Sequence, residues 1–210
     1  MTTNTENRLP ELPWQHYVKK GSTYLWRSRL LYQLGQSQIG NLPDPLPDVF
    51  DAKEPRRLSH QRAREILNRQ TLVNYYNSYD FSQSLIRAAW TAKPFDSFSK
   101  PGSLAKNLEW LKDQFSLSRP NNEGLILFGW IVRNKIVHIG GRVDKRWPRA
   151  ILNHKKNHPG KPVPEIWEGL ETQAAHRRIP VSEEVLDQLY LAMQSIFSDI
   201  EKHPEFANRK

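Results

Sequence analysis

The chain has 210 residues, 38% hydrophobic and 25% charged, which fits one globular domain with extensions and excludes a disordered polypeptide. It contains no cysteine, so disulfides and thiolate metal sites are excluded. Its net charge of +9 favours polyanionic partners through phosphate neutralisation, although a solvated basic surface would give the same count.

The first residues, MTTNTENRLPELPW, lack the basic start and apolar run of a signal peptide. No apolar stretch reaches the length of a membrane span, so no membrane partner and a cytoplasmic location are expected. From Trp14 to Leu34 the periodicity is helical, with Tyr17, Tyr24, Leu25, Leu31 and Leu34 as core candidates and Gly35 as a stop. Gly21 weakens the expectation of one unbroken helix. The Pro-rich stretch 40–58, with Pro43, Pro45, Pro47 and Pro55, reads as a loop.

Helical patterning resumes at Ser59. Ala63, Ile66, Leu67, Val73 and Tyr76 share a stripe that Phe81, Leu85, Ile86, Ala89 and Trp90 continue. The pattern leaves open whether this is one helix or two joined near Asp80. Ser103 is placed to cap a helix with Leu104, Leu108, Leu111 and Phe115 inward. RPNNEG should break the chain before the apolar run GLILFGWIV, Gly124 to Val132. Residues 143–180 hold five prolines and read as an irregular basic insertion with a short helix near Glu165 to Ala174. Ser182 caps a final helix, with Glu183 and Glu184 in its first turn and Val185, Leu189, Met193, Ile196 and Ile200 at helical spacing. No strand or repeat pattern stands out, so residues 1–210 read as a single all-α antiparallel bundle with Pro-rich insertions.

The segment RNKIVHIGG, Arg133 to Gly141, closes the apolar run. On a helix Asn134 and His138 share a face, while Arg133 lies about 140° from His138, a gap its long side chain can cross. Gly140 and Gly141 are natural stops, and the helix dipole favours an imidazolium in the last turn. Such a cluster suits RNA cleavage by the RNA's own 2′-hydroxyl. Histidine serves acid–base chemistry near neutral pH, arginine offers a fork of donors to phosphate oxygens, and the asparagine amide can orient either group. No metal or other cofactor is required. One chain supplies one such histidine, so a symmetric dimer would complete the site.

The spacing alone is weak: Arg149 to His154 repeats Arg-x4-His by chance, just after Pro148. Arg-Asn-x-x-x-His is expected by chance in about one in a hundred chains of this size. RNKIVHIGGRVD resembles the defining motif of the HEPN superfamily, and its Gly140, Gly141 and Asp144 are most similar to the RiboL-PSP-HEPN branch. The likeness is sharp over about a dozen residues. It implies a HEPN-like helical fold, catalytic roles for Arg133 and His138, a supporting role for Asn134, and an active homodimer. It also implies a metal-independent endoribonuclease acting as a toxin or antiviral-defence effector, with a cognate antitoxin or regulatory protein as a further partner. Members silenced by nucleotide transfer carry a tyrosine shortly after the histidine; here Ile139, Gly140 and Gly141 follow, so that regulation is not expected.

Lys135, Arg142, Lys145, Arg146, Arg149, Lys155 and Lys156 are the candidate RNA-binding cations, the last two in a flexible basic loop with Lys161. His154 and His158 have a zinc-compatible spacing, but two lysines lie between them and no third ligand follows, so no metal site is expected. Of the aromatic residues, Tyr75, Tyr76, Tyr79, Trp90, Trp110 and Trp130 read as core, and Trp147 is the candidate for base stacking. The competing function is a non-catalytic RNA-binding or dimerisation module. A DNA-binding regulator is less favoured, because no helix-turn-helix signature is apparent.

Overall fold

Ser59 accepts a hydrogen bond from the Arg62 amide at 3.2 Å, and from this cap the chain runs without a break to Thr91. In the computed structural model, which describes residues 12–44, 46, 58–100, 102–117, 120–144, 146–161, 163–172 and 178–208, this is α2, His60–Thr91. Around it lie α1 (Trp14–Asn41), α3 (Ser103–Phe115), α4 (Pro120–Ile139), α5 (Trp147–Asn157), α6 (Glu165–Glu168), α7 (Glu183–Lys202) and α8 (Pro204–Asn208). The described residues form no strand, only two isolated bridges, and the fold is all-α. No helix among them is long and apolar enough to cross a membrane.

Helix α1 does not end at Gly35. It passes through Gly21 and Gly35 because both lie where another helix comes close. A Cβ on Gly21 would stand 2.8 Å from Phe197 and Ser82, and one on Gly35 would stand 2.9 Å from Leu67. The glycines cost helix propensity but let α1 pack along α2 and α7. The expected inward set is only partly right. Tyr17 and Leu25 are buried, whereas Leu31 is 65% and Leu34 53% exposed. Helix α2 likewise leaves Ile66 and Phe81 exposed while burying Tyr75, Tyr76 and Tyr79.

Ser103 is not the cap of α3. Gly102 takes that place with φ 79°, and the Ser103 hydroxyl lies 3.4 Å from the Asp80 carboxylate, as donor. Leu104, Leu108, Leu111 and Phe115 are buried as the spacing predicts. Pro120 opens α4 instead of breaking the chain before it, since proline fits a first helical turn where no intrahelical donor is needed. In α7 the Ser182 hydroxyl accepts from the Val185 amide at 3.2 Å, and Val185, Leu189, Met193, Ile196 and Ile200 all face the core.

The stretch 143–180 departs most from expectation. Its described residues are integrated into the core: Trp147, Ile151, Trp167 and Ile179 are fully buried. Phe128 of α4 packs edge-on against Trp147 at 5.5 Å and lies 5.8 Å from Trp167. The Trp167 indole donates to the Pro180 carbonyl at 2.9 Å. Trp147, with no exposed surface, is a core residue and not a stacking platform. The expected short helix is α6 followed by a 3₁₀ turn, Gly169–Thr172; its continuation to Ala174 lies outside the described residues. Pro45, Pro47 and Pro55 lie outside them too, while Leu46 donates its amide to the Leu58 carbonyl at 2.9 Å.

Candidate functional site at the end of helix α4

Helix α4 begins as core and ends in solvent. Ile126, Phe128 and Val132 are fully buried, and Gly129 sits against Tyr76, whose hydroxyl donates to the Ile126 carbonyl at 2.7 Å. A Cβ at Gly129 would lie 2.2 Å from that hydroxyl, so a side chain there would push α4 off α2. This close contact fixes the height of the turn that follows.

One turn on, Arg133 is half-buried. One terminal nitrogen donates to Asn77 Oδ1 at 2.6 Å and the other to Asn134 Oδ1 at 3.0 Å. The guanidinium also lies over the Trp130 ring, 4.9 Å from its centroid. Each terminal nitrogen keeps a second N–H that these bonds do not use. Asp80 lies one turn beyond Asn77 on α2. Burial raises its carboxyl above the ordinary value, opposed by the Ser103 hydroxyl and the Arg133 charge. Arg133 is thus a fixed cation with donors to spare.

His138 stands in the last turn, exposed, and makes no hydrogen bond among the described residues. Arg133 and Asn134 are hydrogen-bonded to each other, whereas neither is hydrogen-bonded to His138, so the three do not form one bonded cluster within a chain. The apolar neighbours of the histidine, Val137 and Ile139, are 47% and 39% exposed. Beyond Ile139 the Gly141 amide bonds to the Lys135 carbonyl at 2.9 Å, with Gly140 at φ 66° and Gly141 at φ 71°. Left-handed glycines close the helix here, as the sequence predicts.

The candidate RNA-binding cations fall into two groups. Lys135 is committed to Asp144 at 2.7 Å, which also accepts the Arg146 amide at 3.0 Å. Burial would raise the Asp144 carboxyl, but these partners hold it below its usual range. Lys155 is paired with Glu168. Arg142, Arg146, Arg149 and Lys156 are exposed, with no carboxylate partner among the described residues. Lys145 lies outside the described residues.

The basic loop expected at Lys155, Lys156 and Lys161 is instead helix α5 and its exit, pinned by side chains. Lys161 and Lys112 both reach Glu123 at 3.0 Å. Burial would raise that carboxyl, and the two ammonium groups bring it below its ordinary value. His154 is 3% exposed, edge-on to Phe128 at 5.2 Å, and its Nε2 lies 3.1 Å from the Lys161 carbonyl. The second Arg-x4-His pair therefore also lies on a helix, and burial is what separates its histidine from solvent. No group of three potential metal ligands occurs among the described residues.

Asn77 and Asp80 are the site residues the sequence does not disclose. They stand some fifty residues before Arg133 on another helix, and no local spacing links them. No family model, curated protein or solved structure matches the chain.

Proposed function

We propose that this protein is a HEPN-type, metal-independent endoribonuclease that works as a homodimer. The observation that carries the reading is the anchored guanidinium of Arg133, held by Asn77 and Asn134, with an exposed His138 later on the same helix. The likeness of RNKIVHIGGRVD to the HEPN motif supports it. The exposed Val137 and Ile139 beside His138 offer an apolar contact through which two α4 ends could meet.

In the proposed reaction a His138 imidazole removes the proton of an RNA 2′-hydroxyl, and the freed oxygen attacks the adjacent phosphorus. The bond from phosphorus to the 5′-oxygen breaks, and the second His138 of the dimer returns a proton to that oxygen. The products are a 2′,3′-cyclic phosphate and a 5′-hydroxyl. Arg133 directs its unused N–H groups at the phosphorane oxygens, where charge develops. Toxin or antiviral-defence activity, with a cognate antitoxin or regulatory protein, is the corresponding role.

The test is cleavage of single-stranded RNA in EDTA. His138→Ala should lower the rate by about 10²–10⁴, the range for a general acid–base group, at unchanged helical content. Arg133→Ala should lower it by about 10²–10³. Cleavage that persists in His138→Ala overturns the assignment. Arg142, Arg146 and Arg149, exposed and without a carboxylate partner among the described residues, favour a second reading, a non-catalytic RNA-binding or dimerisation module. That reading predicts salt-sensitive RNA binding indifferent to His138 and no cleavage by the native chain.

A further inference from the structure

Just past the glycine cap of α4 the chain forms an isolated antiparallel bridge between Arg142 and Arg178. The Ile179 amide donates to the Gly141 carbonyl at 2.7 Å. A bond from residue 179 to residue 141 makes 142 and 178 the pair that does not exchange hydrogen bonds. In such a pair the side chains leave the ribbon on the same face, with Cα atoms about 4.5 Å apart. Two arginines are therefore set directly opposite one another, four residues beyond His138. Both are exposed, and no carboxylate pairs with either among the described residues.

Like charges directly opposed across a bridge are destabilising, so the fold gains nothing from this choice. The nearest acid in sequence, Asp144, is taken up by Lys135 and the Arg146 amide. Arg69 of α2 ties the two sides of the ribbon together, donating to the Gly140 carbonyl at 3.4 Å and to the Ile179 carbonyl at 3.2 Å. Arg178 also lines a depression of about 250 Å³ with Arg69, Pro180 and Ser182. Its one acidic wall residue, Glu65, is engaged by Arg62 at 2.6 Å.

We propose that Arg142 and Arg178 form a clamp for one backbone phosphate of a single-stranded RNA, flanking the phosphodiester presented to His138. The proposal deepens the ribonuclease reading and rests on it for the identity of the strand. A phosphate between the two guanidinium groups removes their mutual repulsion and accepts from both forks. The glycine cap holds the clamp at a fixed offset from the end of α4, so it would set the register of the strand.

Binding and cleavage separate the clamp from the activity. Fluorescence anisotropy of a labelled single-stranded RNA is measured with His138→Ala protein, alone and combined with R142Q/R178Q or, as a control of equal charge change on α1, K19Q/K20Q. The clamp predicts that R142Q/R178Q weakens binding roughly ten-fold, reduces the slope of log K against log salt by about 0.7, the value for one single-strand phosphate, and that the control does neither. In the cleaving protein R142Q/R178Q should raise KM with little change in kcat. Its Tm should be equal or higher, since a repulsive pair has been removed. Equal weakening by the control, or unchanged binding and KM, overturns the clamp. An otherwise native chain that binds RNA through the pair but never cleaves it overturns the ribonuclease reading and leaves the clamp standing.

Discussion

At the scale of the residue, what distinguishes Arg133 is restraint. A free arginine on a helix end samples many rotamers, whereas this one is held by two amide oxygens and an indole ring. Asn77 is the positioning residue in this arrangement, because it acts on Arg133 from a different helix. Losing a hydrogen bond to a charged group costs about 1.5–3 kcal/mol, so under the proposed ribonuclease reading Asn77→Ala should lower kcat roughly ten-fold or more. Asn77→Asp keeps an acceptor oxygen and should restore most of the rate, while both variants should keep the helical content of the native protein. If Asn77→Ala cleaves as fast as the native protein, the bond has no part in placing the guanidinium.

At the scale of the element, α4 is a core helix whose last turns are exposed, and its seat on α2 decides where those turns stand. Gly129 and Tyr76 make that seat. Gly129→Ala inserts a methyl group against a buried, hydrogen-bonded ring, an overpacking that costs about 1–3 kcal/mol. Its thermal midpoint should fall, and Tyr76→Phe in the same chain should recover part of the loss by removing the oxygen nearest the new methyl. Two independent, additive losses in the double variant would refute this contact as the cause.

Helix α1 teaches the same lesson about glycine. At Gly21 and Gly35 a local rule expects a break or a stop, yet tertiary contacts at 2.8–2.9 Å require the missing side chain. Stop signals are statements about an isolated helix. They fail where a second helix occupies the space that a Cβ would fill.

At the scale of the whole molecule, charge and burial are distributed unevenly, with consequences for acid stability. His154 and His158 have lowered pKa values because burial disfavours their imidazolium forms, with Lys161 adding repulsion to both. Glu109 works in the opposite direction on His158, as does the Lys161 carbonyl on His154. The unfolded chain therefore takes up protons below 6.5, the ordinary histidine value, that the folded chain refuses, and stability declines as the pH falls from there. Glu123 has a lowered pKa, so its contribution persists to lower pH and is lost only through the carboxylate range below 4.5. Thermal midpoints measured against pH should show both declines, and H154Q/H158Q should flatten only the first. An unaltered decline just below pH 6.5 in that variant would exclude the histidines as its origin.

The amino-acid sequence by itself determines the all-α character, the inward faces of α3 and α7, the Ser59 and Ser182 starts, and the glycine closure after Ile139. These depend on the period of apolar residues and on capping groups within a few positions of one another, so they are local. It also displays Arg133, Asn134 and His138 as a pattern. Only the tertiary structure decides which cations remain free. Lys135 and Lys155 look like Arg142 and Arg149 in one dimension, but Asp144 and Glu168 take them up. It alone buries Trp147 and His154, makes the described residues of 143–180 part of the core, brings Asn77 to Arg133, and sets Arg178 opposite Arg142. Each of these is a contact between residues distant in the chain, and no periodicity or spacing encodes which distant side chain will fill the space beside another.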